Sequence, residues 1–64
     1  MKDYSSKEII KILKKEGWVL IRIEGSHHHF RQMETGKMTT VPHPKKSLPI
    51  GTIKGISRQT GINL

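Results

Sequence analysis

No cysteine occurs among the 64 residues. Its absence removes disulfide cross-links and thiolate zinc sites, and gives no reason to place the chain outside the cytoplasm. Aromatic residues are nearly as scarce. Tyr4, Trp18 and Phe30 are too few for the bulky apolar face of a membrane-surface helix. No apolar run approaches the roughly 20 residues that a membrane-spanning helix needs. Met1-Lys2-Asp3-Tyr4 lacks the apolar stretch of a secretory signal. At 33% hydrophobic residues, so short a chain can fill one helix–sheet layer, giving a single domain over 1–64 with no second core. A domain this small has no room for an elaborate pocket and must meet its partner on an open surface.

Acidic residues are also few, 5 against 12 Lys and Arg, for a net charge of +7. That imbalance is expected of a protein that meets polyanions, nucleic acid first and an acidic protein second. Charge added for solubility alone is the plainer explanation, but seven excess charges on so short a chain also destabilise it by self-repulsion.

The patterning predicts five elements. Ser5-Ser6-Lys7-Glu8 fits a capping box, and Ile9, Ile10, Ile12 and Leu13 then form one helical stripe. Gly17 supplies a left-handed stop, so the helix spans about residues 5–16. The lysines Lys7, Lys11, Lys14 and Lys15 on its other side read as an ordinary solvated face. Trp18 to Glu24 alternates as a strand, with Val19, Ile21 and Ile23 on one side and Leu20, Arg22 and Glu24 on the other. Gly25-Ser26 suits a type II′ hairpin turn. His27 to Met33 is the return strand, Glu34-Thr35-Gly36-Lys37 a turn, and Met38 to Val41 a third strand stopped by Pro42. Pro42 to Ser47 is a stiff basic loop. Pro49 opens a second helix carrying Ile50, Ile53 and Ile56; Gly61 closes it, and Ile62 and Leu64 fold back on it. The expected fold is α+β, α-β-β-β-α, a three-stranded antiparallel sheet with both helices on one face.

His27-His28-His29-Phe30 is the unusual stretch. Strand geometry alternates side chains between faces. With Phe30 in the core, His28 and Gln32 share its side, while His27, His29 and Arg31 point to the open face. Three readings compete for these rings. They are solvated or satisfied strand residues, or a metal site, or proton-transfer groups acting on RNA. His27 and His29 with only Glu24 and Glu34 nearby make a poor metal site, so no metal or cofactor is expected.

RNA suits the third reading for a chemical reason. Its ribose carries the nucleophile, the 2′-hydroxyl, next to the scissile phosphate. A protein need only remove that proton, protonate the leaving 5′-oxygen and stabilise charge on phosphorus. Imidazole, with an ordinary pKa of about 6.5, does the proton work near neutrality, and Lys or Arg the electrostatic work. His43, Lys45 and Lys46, stiffened by Pro42 and Pro44, form a second basic cluster suited to phosphates.

Gly17-Trp18 before a strand, Gly25-Ser26-His27-His28, Phe30, Val41-Pro42-His43-Pro44 and a closing Ile-rich helix ending at Gly61 together resemble the HicA (YcfA-like) toxins across nearly the whole chain. The resemblance implies a fold similar to a minimal double-stranded-RNA-binding domain. It also implies a ribosome-independent mRNA interferase, held inactive by a HicB antitoxin in a type II toxin–antitoxin pair. The family's essential histidine follows the Gly-Ser pair, which points to His27, with His28 as second choice. Ser26, His29, Arg31, His43, Lys45 and Lys46 are the expected RNA contacts. A non-catalytic RNA-binding module of the same fold is the alternative.

Overall fold

The computed structural model describes residues 3–64, so Met1 and Lys2 of the amino-terminal tetrad lie outside the described residues. Helix α1 (Ser6–Lys15) begins where the capping box predicts. The Ser5 side chain accepts from Glu8 N at 3.1 Å, and Glu8 Oε1 accepts from Ser5 N at 3.0 Å. Gly17, at φ +86°, ends it in the left-handed region, where a side chain would be strained. Ile9 and Leu13 are its buried stripe.

Strands β1 (Trp18–Glu24), β2 (His27–Gln32) and β3 (Met38–Pro42) form an antiparallel sheet in the order β1-β2-β3. Gly25 has φ +58° and, among the described residues, no non-glycine residue has positive φ, the combination a type II′ turn needs. Two strand ends move by one residue from expectation: β2 stops at Gln32, and β3 includes Pro42. His43 N donates to Ser26 O at 2.7 Å. The alternation of edge-strand amides then turns the Pro42 nitrogen outward, where a missing N–H breaks no ladder bond.

Helix α2 (Ile50–Thr60) buries Ile53 and Ile56 and ends at Gly61 in the left-handed region. Ile50, expected on the same stripe, is 59% exposed. Three-residue spacing drifts about 60° per step around an α-helix, so the three isoleucines cannot share one narrow face. Phe30 and Val41 of the sheet, Ile9 and Leu13 of α1, and Ile53 and Ile56 of α2 join Trp18 and Leu48 in one core, with Tyr4, Ile10, Ile62 and Leu64 packed against it. Both helices therefore cover the same side of the sheet.

The strict alternation expected along β1 does not hold. Trp18 pairs with Gln32 and Leu20 with Phe30, but the register then shifts, so that Arg22 pairs with His29, Ile23 with His28 and Glu24 with His27. A bulge at Ile21 inserts one extra residue and exchanges the faces beyond it. Val19, Ile21 and Ile23, expected together on one side of the strand, are divided by the shift, Val19 lying opposite Arg31 and Ile23 opposite His28, and are 48%, 46% and 54% exposed. Only Trp18, at the base of β1, reaches the core.

Candidate nucleic-acid interface

His27 is the first residue of β2 and is exposed at the end of the sheet, directly after the exposed Gly25-Ser26 turn. Its neighbour His28 points the other way, as the pleat requires, and is half-buried on the Phe30 side. The His28 ring stands edge-on to His43, with centroids 4.9 Å apart and planes at 84°. Its Nδ1 is buried without a hydrogen-bond partner.

The segment after β3 is sewn to both the hairpin and α1. His43 N bonds to Ser26 O, next to His27, while Ser6 N donates to Lys45 O at 2.9 Å and Leu48 N to Tyr4 O at 2.8 Å. Ser6, only 1% exposed, is the hub. Its Oγ lies 2.7 Å from His43 Nδ1, accepts from Lys45 N at 2.8 Å and donates to Lys45 O at 3.2 Å. An open cleft results, lined by Ser5, Lys7, His43, Pro44, Lys45 and Lys46. Lys7, read from the sequence as part of an ordinary solvated face, thus joins the expected basic cluster. Nothing in the sequence marks Ser6 as the partner of a histidine 37 positions away.

The open face carries a second arrangement. His29 Nδ1 bonds to Thr40 Oγ1 at 2.9 Å, and its Nε2 lies 2.9 Å from Glu24 Oε1 without forming a hydrogen bond. Arg22 pairs with the same carboxylate oxygen at 3.0 Å. The His29 side chain is 17% exposed, so little of the ring is left for a ligand. Arg31 is exposed, with its guanidinium beside Gly36 at the far turn. Four residues of strand put it about 13 Å from His27. Among the expected contacts, then, Ser26, His27, His43, Lys45 and Lys46 gather at one end of the sheet, while Arg31 stands apart. Among the described residues, no group of three or more His, Asp and Glu side chains could hold a metal ion, and no helix is long and apolar enough to cross a membrane.

A family model for the HicA toxin of bacterial toxin–antitoxin systems matches residues 6–62. The chain belongs to the HicA toxin family. No match is found among curated proteins. The matched span runs from the first residue of α1 to just past the Gly61 cap, so it takes in the hairpin, the His43 segment and every core element. This HicA protein is the toxin of a toxin–antitoxin system, and the family implies an antitoxin as its partner.

Proposed function

We propose that this HicA toxin is a metal-independent endoribonuclease, an mRNA interferase acting in the cytoplasm, with His27 as its catalytic imidazole. The observation that carries the reading is an exposed histidine, presented by a Gly-Ser turn, beside a lysine-rich cleft on a chain of net charge +7. His27 takes the proton of the ribose 2′-hydroxyl, and the freed oxygen attacks the adjacent phosphorus. Lys45 and Lys46 neutralise phosphate charge next to that point, Ser26 and His43 contribute polar contacts, and Arg31 holds a phosphate farther along the strand. His29, tied to Thr40 and Glu24, serves as a braced ring within the platform. His28, ring-stacked and half-buried, is the second choice for the catalytic role.

A HicB-like antitoxin silences such an enzyme most simply by covering His27 and the basic end of the sheet. A complex with His27 left open to solvent would contradict that arrangement. The catalytic reading is tested with folded His27→Ala in an RNA-degradation assay containing chelator. Wild-type cleavage should persist in chelator and the variant should lose at least about 100-fold of the rate. Equal cleavage by the variant removes His27 from the mechanism. If RNA is bound but not cut by the wild type, the protein is an RNA-binding module instead.

A further inference from the structure

We infer that His43 is the second proton-transfer group of this reaction, the acid that protonates the leaving 5′-oxygen. The inference rests on the ribonuclease reading above and supplies the partner that a lone His27 lacks.

Placement is the first ground. His27 and His43 occupy the same end of the sheet, because His27 opposes Pro42 in the β2–β3 ladder and the His43 amide bonds to Ser26 O at 2.7 Å. The pleat sends His27 toward the open face, whereas His43 packs against His28 on the helix side. A phosphodiester laid over the end of the sheet therefore has one imidazole on each flank, as an acid and a base must be placed about phosphorus. Lys7, Lys45 and Lys46 border the cleft on the His43 side, where they meet the phosphate charge.

Support of the ring is the second ground. Ser6 Oγ can accept from Lys45 N and from His43 Nδ1 at once, with its own hydrogen turned to Lys45 O. A hydroxyl has two acceptor sites and one donor, so this arrangement satisfies Ser6 fully. It also gives the Nδ1–H of a protonated His43 a fixed acceptor, which leaves Nε2 as the nitrogen that gains and loses a proton. A buried hydroxyl with two backbone bonds, oriented on one ring nitrogen, is a built support of the kind proton-transfer histidines need. His29 Nε2 and His28 Nδ1 are both buried without a hydrogen-bond partner, so neither ring has the fully satisfied support that Ser6 gives His43.

The step balances. The O2′–P bond forms as the O2′ proton passes to His27, and the P–O5′ bond breaks with its electron pair leaving on O5′. The proton on His43 Nε2 goes to that oxygen. The products are a 2′,3′-cyclic phosphate and a 5′-hydroxyl, and solvent returns the two rings to their starting protonation.

The test compares two RNAs that differ only at the bond the wild type cuts, one with the natural 5′-oxygen and one with sulfur in its place. A thiolate leaves without being protonated, so the sulfur substrate makes the acid unnecessary. His43→Asn keeps a polar atom near the Nδ1 position for Ser6 and removes Nε2. It should cleave the oxygen substrate at least about 100-fold more slowly than wild type, and the sulfur substrate within a few-fold of the wild-type rate. His27→Ala should be slow on both. The ratio of the two rates within one variant is independent of how much of the protein is folded. Equal slowing of both substrates by His43→Asn, or no slowing of either, would overturn the inference while leaving the His27 reading intact. If His27→Ala cuts both as fast as the wild type, the ribonuclease reading itself is overturned, and the role of His43 with it.

Discussion

Glu24 and His29 meet at 2.9 Å on the open face of the sheet although the strand register pairs neither with the other. Glu24 lies opposite His27 and Arg22 opposite His29, so the carboxylate reaches along the diagonal and draws both Arg22 and His29 to one oxygen. With Thr40 on the other side of the ring, His29 is held from two strands.

The two sides of that brace are unequal. Thr40→Val removes a part-buried hydrogen bond from His29 Nδ1 and should cost about 1 kcal/mol. Glu24 is 58% exposed, and Glu24→Gln should cost less than about 1 kcal/mol, with the effect shrinking further in high salt. Urea unfolding at low and high ionic strength measures both.

Two isoleucines differ sharply in burial. Ile23 is 54% exposed and Ile53 only 1%. Ile53→Ala should cost about 2–5 kcal/mol, enough to unfold much of so small a domain. Ile23→Ala should leave thermal unfolding within about 1 kcal/mol of wild type, because little of that side chain is removed from water in the fold. Equal destabilisation by the two variants would place Ile23 in the core.

Gly25→Ala isolates backbone conformation, since a Cβ there would meet nothing within 4 Å and the cost comes from φ +58° alone. A destabilisation of about 1 kcal/mol is expected by denaturant titration. Because the same turn presents His27, RNA cleavage should fall by more than the reduced folded fraction explains.

Phosphate binding at the cleft predicts a salt signature. Log affinity for single-stranded RNA should fall linearly with log salt concentration. Lys45→Gln with Lys46→Gln should flatten the slope by about 1.4, roughly 0.7 for each phosphate no longer neutralised. Fluorescence anisotropy, using His27→Ala to prevent cleavage, gives the slope. An unchanged slope would make the two lysines solvated bystanders.

Local chemistry was largely legible. The Ser5–Glu8 box, Gly17 and Gly61 as helix stops, and Gly25 in the hairpin turn act over a few residues, and each is found where its sequence pattern puts it. Once Phe30 is taken as the strand's core residue, alternation divides His27 from His28, and the burial along β2 agrees. Ile21 escaped because alternation assumes one residue per pleat, and an inserted residue leaves no mark in a run of Val, Leu and Ile. Ile50 escaped because spacing in threes imitates a helical stripe over two members and fails over three.

Sequence alone determined the order of helices and strands, the basic charge and the turn that carries His27, because these depend on intrinsic conformational preference and on composition. Only the tertiary structure decided that Ser6 holds His43, that Glu24 and Thr40 grip His29, and that Lys7 borders the same cleft as Lys45. The Ser6–His43 pairing and the Lys7–Lys45 cleft join residues 37 and 38 positions apart in the chain. They exist only once one shared apolar core has brought the start of α1, the hairpin and the segment after β3 to a single end of the sheet.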